Sequence, residues 1–520
     1  MTIRTVNWTG ISVGLVTLAA LLQSIGCYDL STDCKIFACA SGSGSGGSSS
    51  SSSAGGGGTG GMPTNCVPSA SQDPVAESCG VFVSSSLGVD DMAAGRGTRA
   101  KPFKSISAAL KKADVTRVYA CAETFTEAVT ISTGIELYGG LDCKSWAYVG
   151  AAKKTTLTAA ADLIPLTLGN AAGLANVEDF AITAAAAKAP GGSSIAVLAN
   201  GATARLTRCD LAGSDANGGD PGVDGGVQGA QAEGGTKGDD AGAAGTVAGG
   251  VGGKNLVCGL QAGKGGDGGA TMNGSGSNGT QGDGNLGGAS GDGDTGSGCS
   301  DGTKGGNGIA GALVSGATGI GMLDMSGYHG TDGDTAQDGG NGKSGGGGGG
   351  SKASVAVHGA GGGGGGAGGC GGKHGAGGRA GGSSIALVSV GSKVKLTDCQ
   401  LSTGKGGAGG KGGDGQFGQP GGKIGDGGAS NMGVGSACIG GKGGDGGNGG
   451  NGGGGLGGHA LGIAVTGSAP LLDMATQKAI MLGAQGTGGP GGNMDADMNH
   501  GDPGMASSCW DFTMKASCGQ

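Results

Sequence analysis

Between residues 79 and 211 short apolar runs alternate with turn-forming residues, and the runs are rich in Val, Ile, Thr, Phe and Tyr. This pattern predicts strands at 81–83, 115–121, 125–131, 135–138, 155–158, 163–168, 177–183, 195–198 and 204–211. Pro102 opens a stretch with apolar residues at helical spacing, which predicts one helix over 102–113. Strands that follow one another without intervening helices exclude alternating βαβ folds and leave a sandwich, a barrel or a β-solenoid.

An internal repeat selects among these. The phrase beginning Gly191-Gly-Ser-Ser-Ile195 and ending Leu206-Thr-Arg-Cys-Asp-Leu211 returns as Gly381-Gly-Ser-Ser-Ile385 through Leu396-Thr-Asp-Cys-Gln-Leu401. A shorter third copy starts at Gly457. Copies of one supersecondary unit predict a solenoid whose neighbouring coils are interrupted at the same turn by long insertions, since added loop length costs little closure entropy. Stacked coils would set Cys209 against Cys399 at about the 4.8 Å strand spacing, inside the roughly 4.4–6.8 Å Cα range of a disulfide. Either cysteine could equally pair with Cys258, Cys299, Cys370 or Cys438 of the insertions, so the connectivity stays open.

Those insertions change the compositional picture. The chain has 520 residues, of which 137 are Gly, and only 3 % are aromatic. Glycine brings no side chain to bury and loses much backbone entropy on ordering, so these stretches need backbone hydrogen bonds or covalent links to be ordered. Gly-Gly-x triplets such as those of residues 440–452 fit bundles of polyglycine-II-like helices with three residues per turn. Disorder fits the same composition. The Gly-X-Y period breaks repeatedly and Pro totals 11, which excludes collagen.

At the N-terminus, Arg4 precedes an apolar run over residues 11–22, too short to span a bilayer, and small residues then lead to Cys27. Ser24-Ile25-Gly26-Cys27 resembles the lipobox of bacterial lipoproteins, which implies that Cys27 carries a diacylglycerol and becomes the new N-terminus. The simpler reading is an ordinary cleaved signal with Cys27 as a disulfide cysteine. Residues 41–61 are almost only Ser and Gly, the composition of a flexible tether. Removing Cys27 from 15 cysteines leaves an even number, as expected for disulfides in an oxidising compartment. A net charge of −8 without any basic stripe argues against nucleic acid as partner.

Gly97-Thr98, Pro102-Phe103, Ser105-Ile106, Ala109-Leu110, Val118-Tyr119 and the run ending Ile135-Glu-Leu-Tyr-Gly-Gly140 resemble the start of pectin-lyase-like right-handed parallel β-helices. The resemblance implies an N-terminal cap helix and stacked coils of roughly two dozen residues, the cap covering an otherwise exposed core and edge. The glycine-rich segments resemble the PGRS repeats of mycobacterial and myxobacterial exported proteins.

Candidate chemistry is sparse. Gly-Lys-Gly-Gly-Asp-Gly occurs at 263–268, 410–415 and 441–446, and is similar to the calcium-binding nonapeptide of RTX solenoids. That likeness implies Asp267, Asp414 and Asp445 as calcium candidates, but the apolar anchor two positions later is replaced by Gly269, Gln416 and Gly447. A polysaccharide lyase or hydrolase on the same fold would need acids converging on one face, and Asp90-Asp91, Glu178-Asp179 and Asp210 do not repeat between the copies.

The expectation is an all-β right-handed parallel β-helix. Its parts are a signal peptide (1–26), a lipidated tether (27–78), a first β-helical part (79–211), a glycine-rich insertion (212–380), one coil (381–402), a second insertion (403–458) and a C-terminal coil with a disulfide-bearing tail (459–520). The expected role is non-catalytic display at the outer membrane or cell surface, with the membrane and extracellular polysaccharide or surface proteins as partners and no cofactor. The alternative is a secreted carbohydrate-active enzyme.

Overall fold

The computed structural model describes residues 66–518 apart from 72, 92, 113, 171, 172, 244 and 495–498. The signal, Cys27, the Ser/Gly tether, Cys34 and Cys39 lie outside the described residues.

Strands dominate, and three sheets are parallel throughout except at the last strand pair. The first sheet stacks, in order, Val81–Val83, Arg117–Cys121, Glu136–Leu141, Leu174–Glu178, Thr203–Thr207, Lys393–Thr397 and Leu471–Leu472. The second stacks Thr124–Thr126, Thr155–Thr158, Phe180–Thr183, Asp210–Ala212, Gln400–Ser402 and Ile480–Met481. The third stacks Val129–Ile131, Leu166–Leu168, Ser194–Asn200, Ser384–Val390, Ala460–Thr466 and Ala506–Asp511, with Ala516–Ser517 added antiparallel. From Arg117 onward the chain visits first, second and third sheet in constant rotation, so each circuit adds one strand to each.

Rows of like residues at matching register build the core. Val118, Leu137, Val177, Leu206, Leu396 and Leu472 stack in the first sheet. Phe125, Leu157, Ile182, Leu211, Leu401 and Ile480 stack in the second. Val129, Leu166, Val197, Leu387, Ile463 and Cys509 stack in the third. One contiguous buried cluster draws on all three rows. The repeat copies lie side by side, with Ser194 opposite Ser384, Leu206 opposite Leu396 and Leu211 opposite Leu401.

The helix and three strands depart from expectation, one of them 125–131, which is the two strands Thr124–Thr126 and Val129–Ile131 in different sheets. The helix is confined to Ile106–Leu110, because Phe103 bridges to Val83 and the Ser105 side chain caps the helix by accepting from the Ala108 N–H. The expected strands over 177–183 and 204–211 are each two strands, broken at Asp179 (φ 61°) and Arg208 (φ 51°). Those non-glycine residues in the left-handed region turn the chain from the first sheet to the second, and Asp398 (φ 53°) does the same in the next circuit.

The glycine-rich segments are ordered where described. The two expected insertions and a third glycine-rich stretch, 482–505, found within the expected C-terminal part, leave the second sheet after Ala212, Ser402 and Met481 and re-enter the third at Ser384, Ala460 and Ala506. The strand ladder passes into them without interruption: Gly213 N–H donates to Ser402, Ala216 to Lys405, Gly219 to Ala408 and Gly222 to Lys411, one bond every third residue. This three-residue period with bonds only between segments is the polyglycine-II arrangement.

Residues 361–366 occupy its centre. Gly361 and Gly364 donate to Asp239 and Thr236, Gly362 and Gly365 to Gly266 and Gly263, and Gly363 and Gly366 to Cys438 and Gly441. Their carbonyls accept in the same rotation from Gly428 and Gly425, from Gly250 and Gly253, and from Gly348 and Gly345. One glycine segment is thus bonded to six neighbours, all at 2.8–3.0 Å. Residues 345–350 have six neighbours in the same way, through Gly366, Thr303, Thr280, Gly263, Gly441 and Gly291 among others. With three residues per turn, each position faces one direction. A segment with neighbours on every side must be all glycine, and one at the rim keeps every third position for a side chain.

Candidate binding groove and the predicted site residues

The three Gly-Lys-Gly-Gly-Asp-Gly motifs sit on rim segments. A three-residue turn brings positions i and i+3 onto one face, so Lys264 meets Asp267 at 2.8 Å, Lys411 meets Asp414 at 2.7 Å and Lys442 meets Asp445 at 3.5 Å. Each aspartate also accepts a backbone N–H across the bundle, from Gly249, Asn493 and Gly421 respectively. The Gly249 bond, followed by the Lys264 ammonium, holds the Asp267 carboxyl below its ordinary range, and the Gly421 bond does the same for Asp445. Here the motif's carboxylates join one glycine segment to the next.

Cys209 and Cys399 stand at equivalent points of adjacent circuits, both buried in the common core. The Cys209 N–H points at the Cys399 sulfur at 3.4 Å, and both are free thiols. The insertion cysteines bond with one another instead, Cys258 to Cys370 and Cys299 to Cys438. Cys66–Cys79 and Cys509–Cys518 staple the two ends of the described chain. These four disulfides point to an oxidising, extracellular setting, and no helix among the described residues is long and apolar enough to cross a membrane.

The acids considered for catalysis are engaged separately. Arg208 reaches Asp179 at 2.9 Å and Glu178 at 2.8 Å, and the Tyr148 hydroxyl donates to Asp179 at 3.0 Å. Asp210 pairs with Lys154 and Asp91 with Arg96, while Asp90 accepts the Lys104 and Ser105 N–H groups.

Two arrangements escaped the sequence reading. The first is a groove of about 620 Å³ in the bundle, beside the hairpin of Lys254–Asn255 and Leu260–Gln261 that the Cys258–Cys370 bond pins down. At its margin, side chains supply the acceptors of the glycine lattice: Asn341 accepts the Gly371 N–H at 2.8 Å, Gln419 the Cys370 N–H at 3.0 Å and Gln416 the Lys373 N–H at 2.9 Å. Phe417 lines the groove at 59 % exposure, and Val257 beside it at 88 %. Asp338 meets the Lys373 ammonium at 2.8 Å and His374 at 2.7 Å, and these contacts hold its carboxyl far below the usual range. An open aromatic face beside a carboxylate, an ammonium and an amide suits a hydroxyl-rich ligand that stacks its C–H face and hydrogen-bonds at its edge.

The second is Cys121, Glu123 and Cys143, whose sulfurs and carboxylate lie within 4.8 Å of one another. A signal for it was present, since Cys121 ends the predicted strand 115–121 and Cys143 follows the predicted strand 135–138.

No protein-family model, curated protein or solved structure matches this chain.

Proposed function

We propose that the chain is a cell-surface lipoprotein, anchored through Cys27, whose three sheets form a pectin-lyase-like right-handed parallel β-helix that displays the PGRS-like glycine bundle for non-catalytic binding. The observation that carries this reading is the convergence of three long insertions, from one corner of successive circuits, into a single hydrogen-bonded body. Ordering so much glycine costs on the order of 1–2 kcal/mol of backbone entropy per residue. A catalyst on the sheet scaffold has no need of that cost, whereas a presenting surface needs a fixed shape. The groove around Phe417 is the contact site we assign to extracellular polysaccharide on this reading. The acids of the sheet corners are tied to Arg208 and Lys154, which favours a structural role for them over acid–base work.

The test combines location and binding. A Cys27→Ala variant is expected to leave the membrane fraction, and the intact protein is expected to retain matrix glycans without shortening them. Release of oligosaccharide products would establish the enzyme instead.

A further inference from the structure

Four described cysteines carry no bridge, and they fall into two facing pairs with different surroundings. Cys209 and Cys399 point into the dry core shared by the three sheets. Cys121 and Cys143 lie on the opposite side of the first sheet, in a separate cluster with Phe82, Tyr119, Tyr138, Leu141 and Trp146, beneath the segment closed by Cys66–Cys79.

We infer that Cys121 and Cys143 are joined as a disulfide in the exported protein, forming with Cys66–Cys79 a two-bridge clamp over the end of the scaffold where the described chain begins. The geometry is that of neighbouring circuits: Cys121 closes the strand Arg117–Cys121 and pairs with Leu141, two residues before Cys143. The sulfurs lie within 4.8 Å of each other, on chain segments paired at Cys121 and Leu141. A metal is the competing use of the same atoms. Against it, the Glu123 carboxylate already accepts from the hydroxyls of Ser84, Ser85 and Ser86 and from the Ser86 N–H. That leaves two sulfurs where a structural zinc takes four ligands. Burial pushes the folded Cys121 thiol up to about 11, so the bond must form while the segment is still open to solvent.

The chemistry balances with a protein disulfide as the oxidant. The Cys121 thiolate attacks the disulfide of an exported thiol–disulfide oxidoreductase to give a mixed disulfide. The Cys143 thiolate then attacks the Cys121 sulfur and expels the oxidoreductase as its dithiol. Two electrons and two protons pass from the chain to the oxidoreductase.

The experiment uses the full chain, exported and purified without reductant, then denatured in iodoacetamide, digested and read by mass spectrometry. The expected result is a cross-linked peptide pair containing Cys121 and Cys143, with Cys209 and Cys399 both alkylated. Alkylation of Cys121 and Cys143 in most molecules, or one equivalent of bound zinc by elemental analysis, would overturn the inference.

Discussion

His459 shows how one side chain ties distant segments together. Its Nδ1 accepts the Met505 N–H at 2.9 Å and its Nε2 donates to the Ile320 carbonyl at 2.9 Å, which fixes the neutral ring against Tyr328 and Phe512. Burial lowers its pKa below the ordinary 6.5, so the unfolded chain takes up a proton before the folded one does. Its contribution is complete above pH 6.5 and is lost as the pH falls toward the depressed folded value. Melting curves recorded across that window should show the wild type losing stability on acidification. A His459→Gln variant, weaker at neutral pH, should show a smaller slope. The glycines offer a paired test. A Cβ at Gly364 would lie 2.1 Å from the Val251 carbonyl, whereas one at Gly306 meets nothing within 4 Å. Gly364→Ala should cost about 3 kcal/mol, and Gly306→Ala should stabilise by roughly 0.5 kcal/mol through the unfolded state, both read from denaturant midpoints.

At the level of elements, the strands were legible because β-branched and aromatic runs mark them, and the repeat alone implied that Ile195 lies beside Ile385. The corners were not legible. Asp179, Arg208 and Asp398 adopt a conformation usually left to glycine, so an apolar pattern runs straight across the break. The Gly-Gly-x period foretold three residues per turn, but which segments meet depends on bonds between residues far apart in sequence, such as Gly363 to Cys438. The Phe417 groove was hidden for the same reason, since it exists only where the hairpin at 254–261 ends. The lysine–aspartate motif was legible as a motif, but the bonds its aspartates accept across the bundle were not. Lys264 and Asp267 are half-exposed, so Lys264→Ala should cost less than about 0.5 kcal/mol. Asp267→Ala also strips the Gly249 N–H of its acceptor and should cost about 1 kcal/mol, with added calcium leaving the melting temperature of the wild type unchanged.

The described molecule joins two kinds of order. The three sheets are held by rows of Leu, Val and Ile in one continuous core. The bundle contains few large apolar side chains; its small clusters include Ala241, Val357, Ala360, Val434 and Ala437, and Ala317, Ala380 and Leu456. Its cohesion comes from peptide groups bonded to peptide groups, with Cys258–Cys370 and Cys299–Cys438 closing the longest excursions.

A body that hides peptides and little hydrocarbon differs from an ordinary domain in how it absorbs heat. Exposing apolar surface raises the heat capacity on unfolding and exposing polar surface lowers it, the usual balance being about 12–15 cal/mol/K per residue. Scanning calorimetry of this chain with its disulfides intact should return a value well below that range. The curve of stability against temperature then flattens, and the glycine lattice keeps its grip in the cold, where proteins that rely on an oily interior begin to loosen.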